Sequence, residues 1–121
     1  MKFIIKPFSE IMVKSKGVRK RYLGFLQFNL QAQFKEISPE IKVSVHYDKL
    51  EINIRDEKTI ERMQNEISTI EKILYRTPGV ESFIEVETHD VCDLDMMAKK
   101  AEEVYIDRIK DKTFCVRVKR T

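Results

Sequence analysis

Residues 41–54 read Ile-Lys-Val-Ser-Val-His-Tyr-Asp-Lys-Leu-Glu-Ile-Asn-Ile. Ile41, Val43 and Val45 alternate with polar residues, and Leu50, Ile52 and Ile54 do the same after the polar break at Asp48-Lys49. Alternation puts every second side chain on one side of a pleated strand, so the stretch predicts a hairpin that buries one face. Such a face needs a cover, and amphipathic stretches flank it on both sides. Upstream, Ser15 stands where an N-cap would open a helix from about Lys16 to Ile37. Tyr22, Leu23, Leu26, Leu30, Phe34 and Ile37 share one side of that helix, and Ser38-Pro39 ends it. Downstream, Asp56 is placed to cap a second helix in which Ile60, Met63, Ile67, Ile70 and Leu74 recur at helical spacing. Thr77-Pro78-Gly79 stops it.

Further out, Phe3-Ile4-Ile5, broken at Pro7, reads as a strand, and so does Val80 to Val86 with Phe83 and Ile84 at its centre. The order is then strand, helix, strand, strand, helix, strand. That is the split βαβ, ferredoxin-like arrangement of the α+β class, with two helices on one face of an antiparallel sheet. The pattern continues past it. Asp93 is placed to cap a third helix carrying Leu94, Met97, Ala98, Ala101, Val104, Tyr105 and Ile109. Lys110-Asp111-Lys112 reads as a turn. Residues 113–120 read as a strand with Phe114, Val116 and Val118 on one side and Cys115, Arg117 and Lys119 on the other. An apolar strand face requires neighbours, so this last piece is expected to belong to a second, incomplete domain.

The chain has 121 residues, room for one ordinary domain or a small domain with part of another. Hydrophobic residues make up 42%, enough for a core, while 3 Gly and 3 Pro exclude a fibrous or linker-like chain. No apolar run approaches the roughly 18 residues that read as a membrane span, and no export signal opens the chain. A cytoplasmic protein with reduced thiols and no membrane partner is the expectation.

Charge is unevenly spread. Residues 1–55 carry 11 Lys/Arg against 5 Asp/Glu, residues 56–111 carry 8 against 15, and residues 112–121 carry 4 against none. Within the basic parts two clusters stand out. Lys14, Lys16, Arg19, Lys20 and Arg21 crowd the start of the first long helix, and Lys112, Arg117, Lys119 and Arg120 gather at the last strand. A helix start already carries partial positive charge, so cations there are unfavourable unless an anion offsets them. Lys2, Lys6 and Lys42 add further positive charge. Phosphate is the obvious anion, and both clusters are candidate RNA-binding residues. Phe28 lies opposite Leu26 and Leu30 with Arg21 and Lys35, a place that suits contact with another domain or subunit better than with a base.

Catalytic signals are sparse. His46 and His89 lack metal-type spacing, and Cys92 and Cys115 form no CxxC pair. Gly17, Gly24 and Gly79 are isolated, so there is no glycine-rich phosphate loop. No nucleophile has a base beside it in a recognisable motif. No catalytic residue, metal ligand or cofactor site is expected.

Three stretches carry a family resemblance. Met1-Lys-Phe-Ile-Ile-Lys with residues 10–21, Glu-Ile-Met-Val-Lys-Ser-Lys-Gly-Val-Arg-Lys-Arg, is the first. Pro78-Gly79-Val80 followed by Ile84-Glu-Val-Glu is the second, and residues 112–120, Lys-Thr-Phe-Cys-Val-Arg-Val-Lys-Arg, the third. In this order they resemble the N-terminal part of the tRNA 4-thiouridine synthase (ThiI) family, and the last run resembles the early part of a THUMP domain. The resemblance implies a ferredoxin-like domain over residues 1–75 and an incomplete THUMP RNA-binding domain over 76–121, with a boundary open as far back as residue 60. It implies a longer parent enzyme, a tRNA uridine 4-sulfurtransferase linked also to thiamine biosynthesis, that uses ATP and receives sulfur as persulfide from a cysteine desulfurase. Some members add a rhodanese domain. The family's Ser-Gly-Gly-x-Asp-Ser loop does not occur here. This part is therefore expected to dock the acceptor-stem region of tRNA and to leave the chemistry elsewhere, with no cofactor of its own. A homodimer is left open. The competing reading is a ferredoxin-like regulatory or dimerisation domain that takes a small molecule and no RNA.

Overall fold

The computed structural model describes residues 1–55 and 67–119. They fall into two compact units, the first running Met1–Glu87 and the second from Thr88 onward. The expected cap Asp56, the stripe members Ile60 and Met63, and Arg120 lie outside the described residues.

In the first unit, β1 (Lys2–Pro7) leads through a single turn, α1 (Ser9–Met12), into α2 (Lys16–Ile37). The hairpin follows as β2 (Ile41–Val45) and β3 (Leu50–Ile54), then α3 (Ile67–Arg76) and β4 (Val80–Val86). The four strands form one antiparallel sheet in the order β2-β3-β1-β4. This is an α+β unit with a four-stranded antiparallel sheet. Because β4 pairs with β1 from Lys2↔Val86 to Pro7↔Val80, it stays with the sheet, and the unit extends beyond residue 75.

The register explains the core. Phe3 faces Ile52, Ile5 faces Leu50, Val43 faces Ile52 and Ile41 faces Ile54, so all seven side chains lie on one face of the sheet. Leu23, Leu26, Leu30 and Phe34 of α2, and Ile70 and Leu74 of α3, bury against them. Each such side chain removed from water contributes about 1.5–3 kcal/mol. Tyr22 departs from the expected stripe and is exposed, because it lies at the margin of the wheel sector that Leu23 and Leu26 define. Ser15 is the N-cap residue, but its hydroxyl makes no capping bond; its carbonyl accepts from the Arg19 N–H at 2.8 Å.

β2 is an edge strand, and its outer backbone groups are met by side chains of α2. Gln31 donates to the Ile41 carbonyl and accepts from the Val43 N–H, both at 2.9 Å, and Gln27 donates to the Val43 carbonyl at 2.9 Å. The helix that covers the core thus also closes the sheet edge, where unpaired groups would otherwise invite another strand. At the turn before β4, Gly79 has φ +98° and its carbonyl accepts from the Phe8 N–H at 2.9 Å. An L side chain rarely adopts that backbone conformation, which is why glycine stands there.

The second unit holds α4 (Leu94–Ile109), capped as expected by Asp93, whose carboxylate accepts from the Met96 N–H at 2.7 Å. After the turn at Asp111, a left-handed residue with φ 59°, residues 113–119 are not a strand. The expected strand over 113–120 is therefore corrected: residues 113–119 carry no ladder, because the described residues offer them no pairing strand. Phe114, Val116 and Val118 are exposed, and α4 buries no residue.

Candidate nucleic-acid interface

The apolar stripe of α2 changes character at its first turn. Leu30, Leu26 and Leu23 lie on the sheet; one and two turns earlier, the same side of the helix carries Lys20, Arg19 and Lys16. At that level β2 ends with Val45, and the hairpin turn brings His46 and Tyr47 opposite. Cations do not bury as leucines do, so helix and hairpin stay apart there. The result is a cleft of about 250 Å³ lined by Lys16, Arg19, Lys20, Leu23, Val45, His46 and Tyr47. Its floor is apolar and its rim basic.

Arg19 is the fixed cation of the rim. Its guanidinium donates to the Met12 carbonyl at 3.3 Å and lies 4.1 Å from the centroid of the Tyr47 ring. A cation over an aromatic face is held by the ring quadrupole. Lys16 and Lys20 have no carboxylate partner among the described residues, which leaves both ammonium groups available to an anion. His46 belongs to both the cleft and a neighbouring ion cluster: its N–H donates to the Lys49 carbonyl at 2.8 Å and its Nε2 lies 3.3 Å from Glu51.

That cluster occupies the sheet face opposite the core. Glu51, nearly buried, accepts from Lys2 at 2.8 Å and from Lys49 at 3.1 Å. The Lys2 hydrogen bond is the largest influence on its carboxyl; burial opposes it, Lys49 and His46 reinforce it, and the pKa is lowered to about 2. Lys2 and Lys49 are thus committed to a carboxylate, and Lys6 pairs with Glu81. Lys16, Arg19 and Lys20, by contrast, meet at the cleft with no carboxylate partner among the described residues.

Of the residues expected from the sequence, Lys16, Arg19 and Lys20 come together. Lys14 and Arg21 are exposed beside them without lining the cleft, and Arg21 lies 5.9 Å from the Phe25 ring centroid. Lys112, Arg117 and Lys119 are exposed in the second unit, and Arg120 lies outside the described residues. Sequence reading missed Tyr47 and His46. The available signal was their place at the end of a strand that packs beside the cationic turn. Cys92 and Cys115 are exposed free thiols. No group of three His, Cys, Asp or Glu side chains fit for a metal occurs among the described residues, and no described helix is long and apolar enough to cross a membrane. Phe28 is 74% exposed, as its place on the wheel implies.

Comparison with known proteins gives a consistent set. The chain is 38% identical over 120 residues to a tRNA sulfurtransferase of Pectobacterium atrosepticum and 40% identical over 120 residues to that of Citrobacter koseri. It is 39% identical over 121 residues to that of Shigella dysenteriae. These alignments take in 99–100% of this chain and 23–24% of each relative, so the chain spans about a quarter of the length of the curated relatives it matches. No family model matches the chain, and no solved structure matches it. The resemblance read from the sequence is borne out: over its whole length this chain is similar to a stretch of the tRNA sulfurtransferases.

Proposed function

We propose that this chain is the tRNA-docking, N-terminal part of a tRNA uridine 4-sulfurtransferase, with phosphates held at the basic cleft between α2 and the hairpin. The observation that carries the reading is the pair of ammonium groups, Lys16 and Lys20, without a carboxylate partner among the described residues, on a chain 38–40% identical to tRNA sulfurtransferases. Phosphate contacts position an RNA without reading its sequence, which is the task of a docking region. The element order and the strand order β2-β3-β1-β4 support a ferredoxin-like first domain. The unburied α4 and unpaired 113–119 support an incomplete THUMP domain in the second unit, with Lys112, Arg117, Lys119 and Arg120 as its contribution to RNA binding. On this reading the acceptor-stem region of tRNA is the partner. Thiolation, ATP, a cysteine desulfurase donor and the thiamine link belong to the longer cytoplasmic parent.

The test is tRNA binding by the 121-residue chain as a function of salt. Each lost phosphate contact lowers the magnitude of the log–log slope by about 0.7–0.9. A Lys16→Ala, Lys20→Ala double variant is expected to bind more weakly and with a flatter slope. Unchanged affinity and slope would sink the docking role. One observation favours a second reading, a dimerisation domain: Tyr22, Phe25 and Phe28 leave aromatic surface on the outer side of α2. Light scattering decides it, a dimer that Phe28→Ser dissolves being the favourable result.

A further inference from the structure

Resting on the docking role above, we propose that the α2–hairpin cleft seats one unpaired RNA nucleotide, its base stacked on Tyr47 and its phosphate held by Lys16 and Lys20. Three observations point to a nucleotide rather than a bare phosphate. The first is the lining. Leu23 and Val45 give the cleft an apolar floor beside its three cations, a combination that suits a ligand with one flat apolar part and one anionic part. A site for phosphate alone has no use for the apolar floor or the ring.

The second is the state of Tyr47. Arg19 lies 4.1 Å from the ring centroid, yet the residue is 68% exposed and lines the cleft, so part of the ring stays open to a ligand there. The ring is also positioned before any ligand arrives: Arg19 is tied to the Met12 carbonyl, and the hairpin turn is closed by the His46 to Lys49 bond. A base stacking on the exposed part of the ring would meet a surface already held in place, with little side-chain freedom left to lose.

The third is size. At about 250 Å³ the cleft falls below the roughly 300–1,000 Å³ that enclose drug-sized ligands, so it fits one flat fragment of a larger molecule. The bases inside a duplex already stack on their neighbours, and only an unpaired nucleotide offers a free face.

The chain contains no tryptophan, so Tyr47→Trp makes a single emitter at the site. The 121-residue chain carrying it would be titrated at low salt with four probes: a six-nucleotide single-stranded RNA, the same strand made abasic, a blunt RNA duplex and inorganic phosphate. Emission should fall with the single strand and stay level with the abasic strand and with phosphate, while the duplex binds through charge without quenching. In the unsubstituted background, Tyr47→Ala should weaken single-strand binding about tenfold, within the range for one base–aromatic stack, and leave the salt slope unchanged because the ring is neutral. Tyr47→Phe should bind like the parent, since the ring face is what is used. Far-UV circular dichroism checks that the exposed substitutions leave the fold intact. If Lys16→Ala, Lys20→Ala flattens the slope while Tyr47→Ala changes nothing and the emission is silent, the nucleotide seat is wrong and docking stands. If neither charge nor ring variants alter binding, or no single strand binds at all, the proposal is overturned, and the first of these outcomes removes the docking role with it.

Discussion

The two units of this chain are written in the same local language and come to different ends. In Met1–Glu87 the described strands and helices share one core: β1 to β3 supply one face, α2 and α3 cover it, and even the free edge of β2 is closed by Gln27 and Gln31. From Thr88 onward the signals are as clear. Asp93 caps α4 at 2.7 Å, and Phe114, Val116 and Val118 alternate. Yet α4 buries nothing, and residues 113–119 pair with nothing among the described residues. Caps and alternation state what a segment is able to become; a partner surface decides whether it does.

The largest expected effect tests that contrast directly. Phe34→Ala removes a fully buried ring from the first unit and should cost about 3–5 kcal/mol in urea unfolding followed by circular dichroism. Val116→Ala, at a 72% exposed position, should change the same midpoint by less than about 0.5 kcal/mol. Equal losses would mean that the second unit has a core of its own.

Next in size is the ion cluster. The folded pKa of Glu51 is depressed, so the folded state binds its proton less readily than the unfolded chain does. Its contribution is fully present above the ordinary carboxylate range and is lost as pH falls from about 4.5 toward about 2. Glu51→Gln should remove about 1–3 kcal/mol at neutral pH, discounted for the partial exposure of its partners, and flatten the acid limb of the stability curve. A variant with the parent's acid dependence would show that the cluster contributes nothing. Smaller still, Gly79→Ala should cost about 1–2 kcal/mol by forcing an L side chain into a left-handed turn at φ +98°. A midpoint equal to the parent's would show that the turn relaxes.

The contrast also marks how much was legible beforehand. The hairpin at 41–54, the helix bounds Lys16 and Ile37, and β4 at Val80–Val86 were readable because each depends on a period and a stop signal within its own residues. The strand at 113–120 was misread for the same reason, since alternation carries no information about whether a partner exists. At the site, the cations were visible as a run, but which of them converge was not. Lys16, Arg19 and Lys20 share the stripe that Leu23 continues, whereas Lys14 and Arg21 do not; that distinction needs the helix phase and the end of β2 together. Tyr47 was hidden because only the β2 register and the packing of α2 bring it beneath Arg19, 28 residues away in sequence. The glutamine clamp was hidden likewise, since Gln27 and Gln31 read as ordinary polar positions until β2 is known to be an edge.

The central claim is that RNA docks where Lys16, Arg19 and Lys20 converge on the α2–hairpin cleft. Backbone amide shifts of the isotope-labelled 121-residue chain, followed as tRNA is added, test it most directly. The largest changes are predicted at Lys16–Lys20 and at Val45–Tyr47, with Lys2, Glu51 and Lys49 on the opposite sheet face unmoved. Shifts confined to that sheet face or to Phe25 and Phe28 on the outer side of α2, with the cleft amides unchanged, would contradict it.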